Sequence, residues 1–413
     1  MTMPRHIVVT GATGFVGRAL VPRLHSAGVT LTIAGRDPAR VAALFPNVTA
    51  CGYDTLAHHA AGAEMLVHLA TLNNDDLDAT EKAFETVNVD LFAQVLDAAR
   101  SAGVATVVNI SSTRALDPSD TSPYARSKRA ASRLVQSATG SRGVTLYLAA
   151  IHHKSPDGGA PAYAGKLRLL EKLPAFLRPP AFSALAALRP TLSVDRLAAY
   201  LLGGITPPED TEIVLSDRQS GNPVYAIFAK IVDLAFAVAV LGLFWWGLLA
   251  IWVAIRLDSP GPGFFLQPRV GKNGRVFTCY KFRTMRDGTI QRGTHEVSEA
   301  QITRIGAFMR RTKIDELPQI WNLIRGELSL VGPRPCLIVQ EELIAERRDR
   351  GVLDIKPGIT GLAQIAGIDM SDPVRLARED ARYLGLRCIP LDLKIILATF
   401  TGKGSGDRVE RAD

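Results

Sequence analysis

At 413 residues, with 47% hydrophobic and 21% charged side chains, the chain has material for two or three domains that each bury a core. A formal charge of +8 admits nucleic acid, anionic lipid or a phosphorylated substrate, but the basic residues are scattered among apolar stretches without interleaved aromatics, which argues against nucleic acid. Cys51, Cys279, Cys336 and Cys388 form no close-spaced metal or redox motif and read as reduced thiols of a cytosolic compartment.

Arg5 and His6 lead into a short apolar strand rather than a cleavage site, so the first domain is expected to stay in the cytosol. Residues 7–10 are β-branched and apolar, Gly11-Ala12-Thr13-Gly14-Phe15-Val16-Gly17 follows, and 18–27 has helical composition. Strand, glycine turn and helix in that order are the context for dinucleotide binding. Around Thr13, the glycines Gly11, Gly14 and Gly17 let backbone N–H groups approach a pyrophosphate at a helix N-terminus. A second strand at 31–34 ends at Gly35-Arg36-Asp37, where Arg36 favours the 2′-phosphate of NADP and Asp37 keeps NAD as the alternative.

Residues 107–110 read as a strand entering Ser111-Ser112-Thr113, and Tyr124-Ala125-Arg126-Ser127-Lys128 as a helix with Tyr124 and Lys128 on one face. The ammonium then lowers the phenol pKa while the upstream hydroxyl binds the same carbonyl oxygen, which suits nicotinamide-dependent carbonyl reduction or alcohol oxidation. With His68-Leu69-Ala70 and Asn88-Val89, this set resembles the extended short-chain dehydrogenases of the NAD-dependent epimerase/dehydratase family. The resemblance implies that Ser112 (or Thr113) positions substrate, Tyr124 is the acid/base and Lys128 tunes it. Thr113-Arg114 stands where dehydratases of the family place an acidic pair, and the stretch 165–195 looks most like the branch acting at C4 of UDP-amino sugars. A 4-ketoreductase making a UDP-2-acetamido-2,6-dideoxyhexose is the first expectation and a 4-epimerase the second. Two departures, the short interval from Ser112 to Tyr124 and Ala150-Ile151-His152-His153-Lys154 in place of an Arg-Pro loop, leave a non-catalytic sensing module as the alternative. His58-His59 and His152-His153 have no carboxylate at ligand spacing and are expected at the surface.

Gly221-Asn222-Pro223 breaks regular structure and marks a linker. Residues 234–255 then carry no charge over 22 positions, about 33 Å as helix, enough for a bilayer core. One crossing would separate two domains that both use cytosolic substrates, so a re-entrant helix is expected, with Trp245-Trp246 at its middle and Gly242 and Gly247 permitting a bend. Asp233 is expected as an interfacial polar residue or a partner of a nearby cation.

Beyond it stand Tyr280-Lys281-Phe282-Arg283-Thr284-Met285, Thr303-Arg304-Ile305-Gly306, Asp315-Glu316, Ser329-Leu330-Val331-Gly332-Pro333-Arg334-Pro335, Lys356-Pro357-Gly358-Ile359-Thr360-Gly361 and Leu391-Asp392-Leu393-Lys394. In this order the blocks resemble bacterial sugar transferases of the monotopic phosphoglycosyl transferase type, whose re-entrant helix bends at a Ser-Pro pair in its middle, where this chain has Trp245-Trp246. The resemblance implies transfer of a sugar phosphate from a UDP-sugar to polyprenyl phosphate, undecaprenyl phosphate by preference, with Asp315 as nucleophile. Asp315 and Glu316 are the expected Mg²⁺ ligands, and Lys281, Arg283, Arg310 and Arg334 the expected phosphate-binding cations. Leu317, Ile320, Trp321, Leu323 and Ile324 follow helical spacing and are expected in the core or facing lipid.

The expected architecture is α/β: a Rossmann-type doubly wound parallel sheet (1–217), a linker (218–223), a membrane-embedded helix (224–257) and a mainly helical transferase domain (258–413). A bifunctional enzyme on the cytoplasmic face of the bacterial inner membrane follows, in contact with membrane lipids; nothing in the sequence decides between a monomer and a homo-oligomer. A reductase tethered by an inactive transferase fold is disfavoured by the intact acidic pair.

Overall fold

The structure, a computed structural model, describes residues 3–73, 79–137, 140–153, 162–203, 209–286 and 302–402. Two compact units, Met1–Asp217 and Arg218–Asp413, are described in turn.

In the first, β1 (His6–Thr10), β2 (Thr30–Ala34), β3 (Thr49–Cys51), β4 (Met65–His68), β5 (Thr106–Ser112) and β6 (Arg142–Leu148) join a seven-stranded sheet. Three short strands, β7 (Ala150–His153), β8 (Ala162–Tyr163) and β9 (Thr191–Ser193), pair separately, and β10 (Glu212–Leu215) closes the main sheet. Its order is β10-β6-β5-β4-β1-β2-β3, every pair parallel. Such strands are buried on both faces, so side chains alternate between two cores. Ile7 and Val9 pack with Leu20 and Leu24 of helix Phe15–Ser26 and Leu197 and Leu201 of helix Val194–Leu202. Val8 faces the other way, toward Phe92 and Val95 of helix Leu91–Ser101 and Ala131 and Val135 of helix Pro123–Ser137. This is the doubly wound sheet that the strand–turn–helix pattern implies, and ligands of such sheets gather at the strand carboxyl ends.

The second unit begins with helix Pro223–Asp258, capped by Asn222, whose Oδ1 accepts from the N–H groups of Val224 and Tyr225. The backbone stays helical through Gly242, Trp245, Trp246 and Gly247, the positions at which a bend was admitted. Without proline no helical hydrogen bond is lost, and the glycines alone do not open the backbone. Both ends attach to the same unit instead. Near its start, Tyr225 donates to Asp392 and accepts from Arg387 Nε at 2.7 Å, and Tyr383 donates to Asp392 at 2.9 Å. Near its end, Ile255 packs with Phe282 and Met309. Asp233 is buried, accepting from Leu330 N–H at 2.7 Å and Ser329 Oγ at 3.1 Å. The middle of the helix, residues 241–246, is exposed all the way round, so Leu243, Phe244, Trp245 and Trp246 stand open on every side, with Leu249 one turn on.

β11 (Phe264–Val270) and β12 (Val276–Phe282) form an antiparallel hairpin, and β13 (Ser329–Val331) and β14 (Gly358–Thr360) a parallel pair. Helices Arg304–Thr312, Ile320–Arg325, Glu341–Asp349, Pro373–Leu386 and Ile389–Phe400 surround them. The motif glycines are contact points: a Cβ on Gly358 would stand 2.1 Å from Gly332 N, and one on Gly306 2.0 Å from Thr284 O. Ile320 and Leu323 turn into the core, whereas Trp321 and Ile324 are exposed.

Candidate active site

The carboxylates of the second unit are aimed by a local break in helix geometry. Helix Arg304–Thr312 ends at Lys313, which takes the left-handed conformation (φ 58°), and the chain tightens into a 3₁₀ turn, Ile314–Gln319, carrying Asp315 and Glu316 in its first turn. A non-glycine residue with positive φ is strained and is found where the fold must aim side chains. Lys281 of β12 donates to Glu316 Oε1 at 2.7 Å, and Arg334, just after β13, donates to the same oxygen at 3.0 Å. Burial pushes Glu316 up, but Lys281 and Arg334 together hold it well below the usual carboxylate range. Asp315 is the reverse case. Burial, then the charge of Glu316, pushes it up to about 6, with Lys281, Arg310 and Arg334 opposing. One carboxylate is thus fixed as an anion by two cations, and its neighbour titrates near neutrality.

The expected cations separate. Lys281 and Arg334 reach the pair, and Arg310 lies half-buried with Nε on Thr284 Oγ1 at 3.0 Å. Arg283 does not stand open to a phosphate: its guanidinium donates to the Ser259 and Pro260 carbonyls, both at 2.7 Å, and braces the chain leaving the long helix. Three side chains that sequence reasoning missed support Arg334. Arg347 donates to the Arg334 carbonyl at 2.8 Å while its Nε and Nη2 grip Asp380 at 2.9 and 2.7 Å, all deep in the interior. Arg269 donates to the Pro335 carbonyl at 2.9 Å. Their signal in sequence is only charge, without a pattern that separates a buried arginine from a solvated one.

Among the described residues no group of three or more His, Cys, Asp and Glu side chains is gathered for a metal. The pair still fits Mg²⁺, which takes one or two carboxylates and completes its shell with phosphate and water. Both bonds recorded to Glu316 fall on Oε1.

In the first unit, Gly11 (φ 70°) passes so close to β4 that a Cβ would meet Ala70 N at 2.4 Å, and one on Gly17 would meet Ala12 Cα at 2.4 Å. Gly14 is exposed at the N-cap of helix Phe15–Ser26, while half-buried Thr13 offers its carbonyl to Arg18 Nε at 2.8 Å. Past β2, Asp37 is spent as the N-cap of helix Pro38–Leu44, accepting from Arg40 N–H at 3.0 Å. Arg36 lines a cleft of about 650 Å³ with Gly35, Cys51, Tyr53 and Asp54.

Helix Pro123–Ser137 carries Tyr124 and Lys128 one turn apart, and Arg114 lies over the Tyr124 ring at 5.9 Å. Lys128 is buried, donates to the Ile110 carbonyl of β5 at 2.9 Å, and is pushed down to about 7 by desolvation. Ser112 Oγ accepts from Arg114 N–H at 3.3 Å, so it caps the turn carrying Thr113. Asn88, in a π-helical turn (Thr86–Asp90), donates to Ser127 Oγ at 3.0 Å and accepts from Leu72 N–H at 2.8 Å, tying the chain after β4 to the Tyr124 helix. His68 is buried against Thr10 Oγ1 at 2.8 Å, and burial pushes it down to about 3. His152 is not the surface residue expected. It is half-buried and bonds Asp217 Oδ2 at 2.9 Å, a carboxylate too far along the chain for ligand spacing to reveal. Lys154 lies outside the described residues.

Residues 224–403 match the family described as bacterial sugar transferase, and 7–158 the NAD dependent epimerase/dehydratase family. The uncharacterized sugar transferase EpsL of Bacillus subtilis is 39% identical over 42% of this chain and 85% of its own length. The UDP-N-acetylgalactosamine-undecaprenyl-phosphate N-acetylgalactosaminephosphotransferase of Aeromonas hydrophila is 35% identical over 50% of this chain and 48% of its own. A solved UDP-N-acetylglucosamine 4-epimerase from Methanobrevibacter ruminantium M1, in complex with UDP-N-acetylmuramic acid, is similar with a TM-score of 0.41 and 19% identity, over 52% of this chain and 77% of that one. The chain spans about half the length of the Aeromonas relative. It belongs to the bacterial sugar transferase family, and the residues preceding the transferase part match the NAD dependent epimerase/dehydratase family.

Proposed function

We propose that the chain transfers a sugar 1-phosphate from a UDP-sugar to a polyprenyl phosphate, undecaprenyl phosphate by preference, and so starts a surface glycan. The observation that carries this reading is Asp315 beside a Glu316 pinned by Lys281 and Arg334. An Asp315 oxygen attacks the β-phosphorus, the bond from that phosphorus to the bridging oxygen breaks, and UMP leaves with the electron pair. An oxygen of the lipid phosphate then attacks the same phosphorus and frees the carboxylate. A carboxylate nucleophile divides one hard displacement into two easier ones. Asp315 must be ionised for the first step, and a group titrating near 6 is ionised at neutral pH while remaining a better nucleophile than a strongly acidic one. Lys281, Arg310 and Arg334 supply charge along the diphosphate. Asp315 and Glu316 would hold Mg²⁺, which neutralises the departing phosphate.

The lipid substrate calls for membrane contact. The long helix offers it through the exposed side chains of Leu243, Phe244, Trp245, Trp246 and Leu249, and attachment of both helix ends to one unit supports one-sided embedding on the cytoplasmic face of the inner membrane.

The first unit is proposed to finish the donor as a 4-ketoreductase or 4-epimerase, with Tyr124 as acid/base, Ser112 orienting the substrate and Lys128 tuning the phenol. The Gly11–Gly17 turn would hold the pyrophosphate of a nicotinamide dinucleotide, which when bound would supply the hydride chemistry. Because Asp37 is occupied as a cap, Arg36 is left to face a 2′-phosphate, which favours NADP over NAD. A second reading has its own support: Ser112 and Lys128 both engage backbone groups, as they would in a module that binds nucleotide without turnover. If Tyr124→Phe abolishes glycan synthesis and finished UDP-sugar restores it, the enzyme reading stands; if the variant has no effect, the module reading does.

Release of UMP from a panel of UDP-sugars by the full chain in nanodiscs, with Mg²⁺ and undecaprenyl phosphate, tests the transferase. Lipid-dependent UMP from one donor, reduced by at least about 10³-fold in Asp315→Asn, is the expected result. UMP release that survives the substitution overturns the role of Asp315.

A further inference from the structure

The first unit carries an apolar surface that neither proposed reaction uses. After β8 the chain forms 3₁₀ turns at Gly165–Lys172 and Ala175–Leu177 and then helix Arg178–Leu188. Its inner side is an ordinary small core, in which Leu167, Leu170 and Phe182 close on Tyr163. Its outer side is not: Phe176 is 77% exposed, Leu169 63% and Leu188 51%, and Leu177 and Leu185 are exposed beside them. Phe176 and Leu177 stand on a short projection between Pro174 and the pair Pro179-Pro180, residues that supply no N–H to continue a helix. Five large apolar side chains left exposed within twenty residues of chain are the composition of an interaction site.

Charge indicates what covers it. Arg168, Lys172 and Arg189 are exposed along the same segment. Arg178 is fixed at the base of the projection by the Leu173 carbonyl at 2.9 Å and the Glu171 carbonyl at 3.1 Å. The single acid of the stretch, Glu171, has its carboxylate turned to Tyr163 N–H at 3.3 Å. Exposed apolar side chains interspersed along the segment with exposed cations match the boundary between acyl chains and anionic headgroups. The sequence itself keeps a bilayer near, since only residues 218–222 separate Asp217 from the long apolar helix.

We propose that residues 165–189 dock on an anionic bilayer, Phe176 and Leu177 entering at headgroup depth and the cations engaging lipid phosphates. The proposal rests on the reading of helix Pro223–Asp258 as lipid-embedded, and the test keeps the two apart. The cysteines of the chain are buried, so single thiols introduced at exposed sites take a fluorophore selectively. Full chain carrying Phe176→Cys, Leu243→Cys or the exposed control Lys82→Cys is placed in vesicles of phosphatidylethanolamine and phosphatidylglycerol and quenched by spin-labelled lipid. The expected result is quenching at 176 at least about half that at 243, weakened several-fold when phosphatidylcholine replaces the anionic lipid or when Lys172→Glu and Arg189→Glu are added. Quenching at 243 with 176 indistinguishable from 82 overturns the proposal and leaves the embedded helix standing. No quenching at either site overturns both. Protection at 176 that follows protein density and not lipid charge assigns the face to a second copy and overturns it as well.

Discussion

The two units solve the same problem differently. Each buries an ionisable group whose charge the interior opposes: Lys128, pushed down to about 7, and Asp315, pushed up to about 6. Lys128 meets the cost with one backbone carbonyl, Ile110 O, and no opposing carboxylate is among the causes of its shift. Asp315 sits beside a second carboxylate that two cations neutralise, so its surroundings are charged, paired and rigid. A single buried charge is adjustable by whatever ligand enters; a cation–carboxylate cluster is set in advance by the fold. On the proposed reading, the Asp315–Glu316 site is therefore assembled before substrate arrives, whereas Lys128 is left to be completed by a bound nucleotide.

The largest effect that would break this contrast comes from Lys281→Met. With one of its two cations gone, burial pushes Glu316 up, and UMP release should fall by about 10²- to 10³-fold at neutral pH with its acid limb moved to higher pH. A proportional loss at all pH values would mean that Lys281 acts only on substrate.

Stability provides the next test. Because the folded pKa of Asp315 lies above the unfolded value, the folded state binds the extra proton, and stability falls as pH rises from about 4 to about 6. Asp315→Asn should then stabilise the chain by on the order of 2–3 kcal/mol at pH 8 and by little at pH 4, read as apparent Tm in detergent. Glu316 has the opposite sign. Its contribution is present above the unfolded pKa and is lost only as pH falls through its depressed folded value.

For Lys128, whose folded pKa is below the unfolded one, stability rises with pH between about 7 and the ordinary lysine range. Lys128→Met should stabilise the first unit by on the order of 4–5 kcal/mol at pH 6, an effect that fades above pH 10. If nucleotide binding survives the substitution unchanged, the lysine is not completed by the ligand and the contrast between the units weakens.

Arg36→Ala is the smallest change. It should weaken NADP binding by about 10-fold and leave NAD binding nearly unaltered, measured by titration of the full chain.

The sequence made legible what depends on neighbours along the chain. Gly11 and Gly17 announce the turn because their backbones touch Ala70 and Ala12, where a side chain has no room. Asp315 and Glu316 share one short turn, and their chemistry is visible in their adjacency. What escaped depends on partners far away. Arg347 meets Asp380 across 33 residues, and His152 meets Asp217 across 65. Arg283 shows the same limit: its charge was plain, but whether it faced a phosphate or two carbonyls was decided by where Ser259 and Pro260 fold. The unbroken helix follows from a residue that is missing, since nothing at Trp245-Trp246 removes an N–H.

Asp233 has a consequence of a mechanical kind. It lies within the long helix, yet its carboxylate is fastened to Ser329 and to the N–H of Leu330 on the strand that leads through Gly332 to Arg334. The helix cannot slide along its own axis without dragging that strand, and Arg334 follows the strand. With the helix lipid-embedded as proposed, bilayer thickness and the depth at which the helix rides would become inputs to the position of Arg334, and a thinner or thicker membrane should tune the proposed transfer as a strain gauge is tuned by its mount.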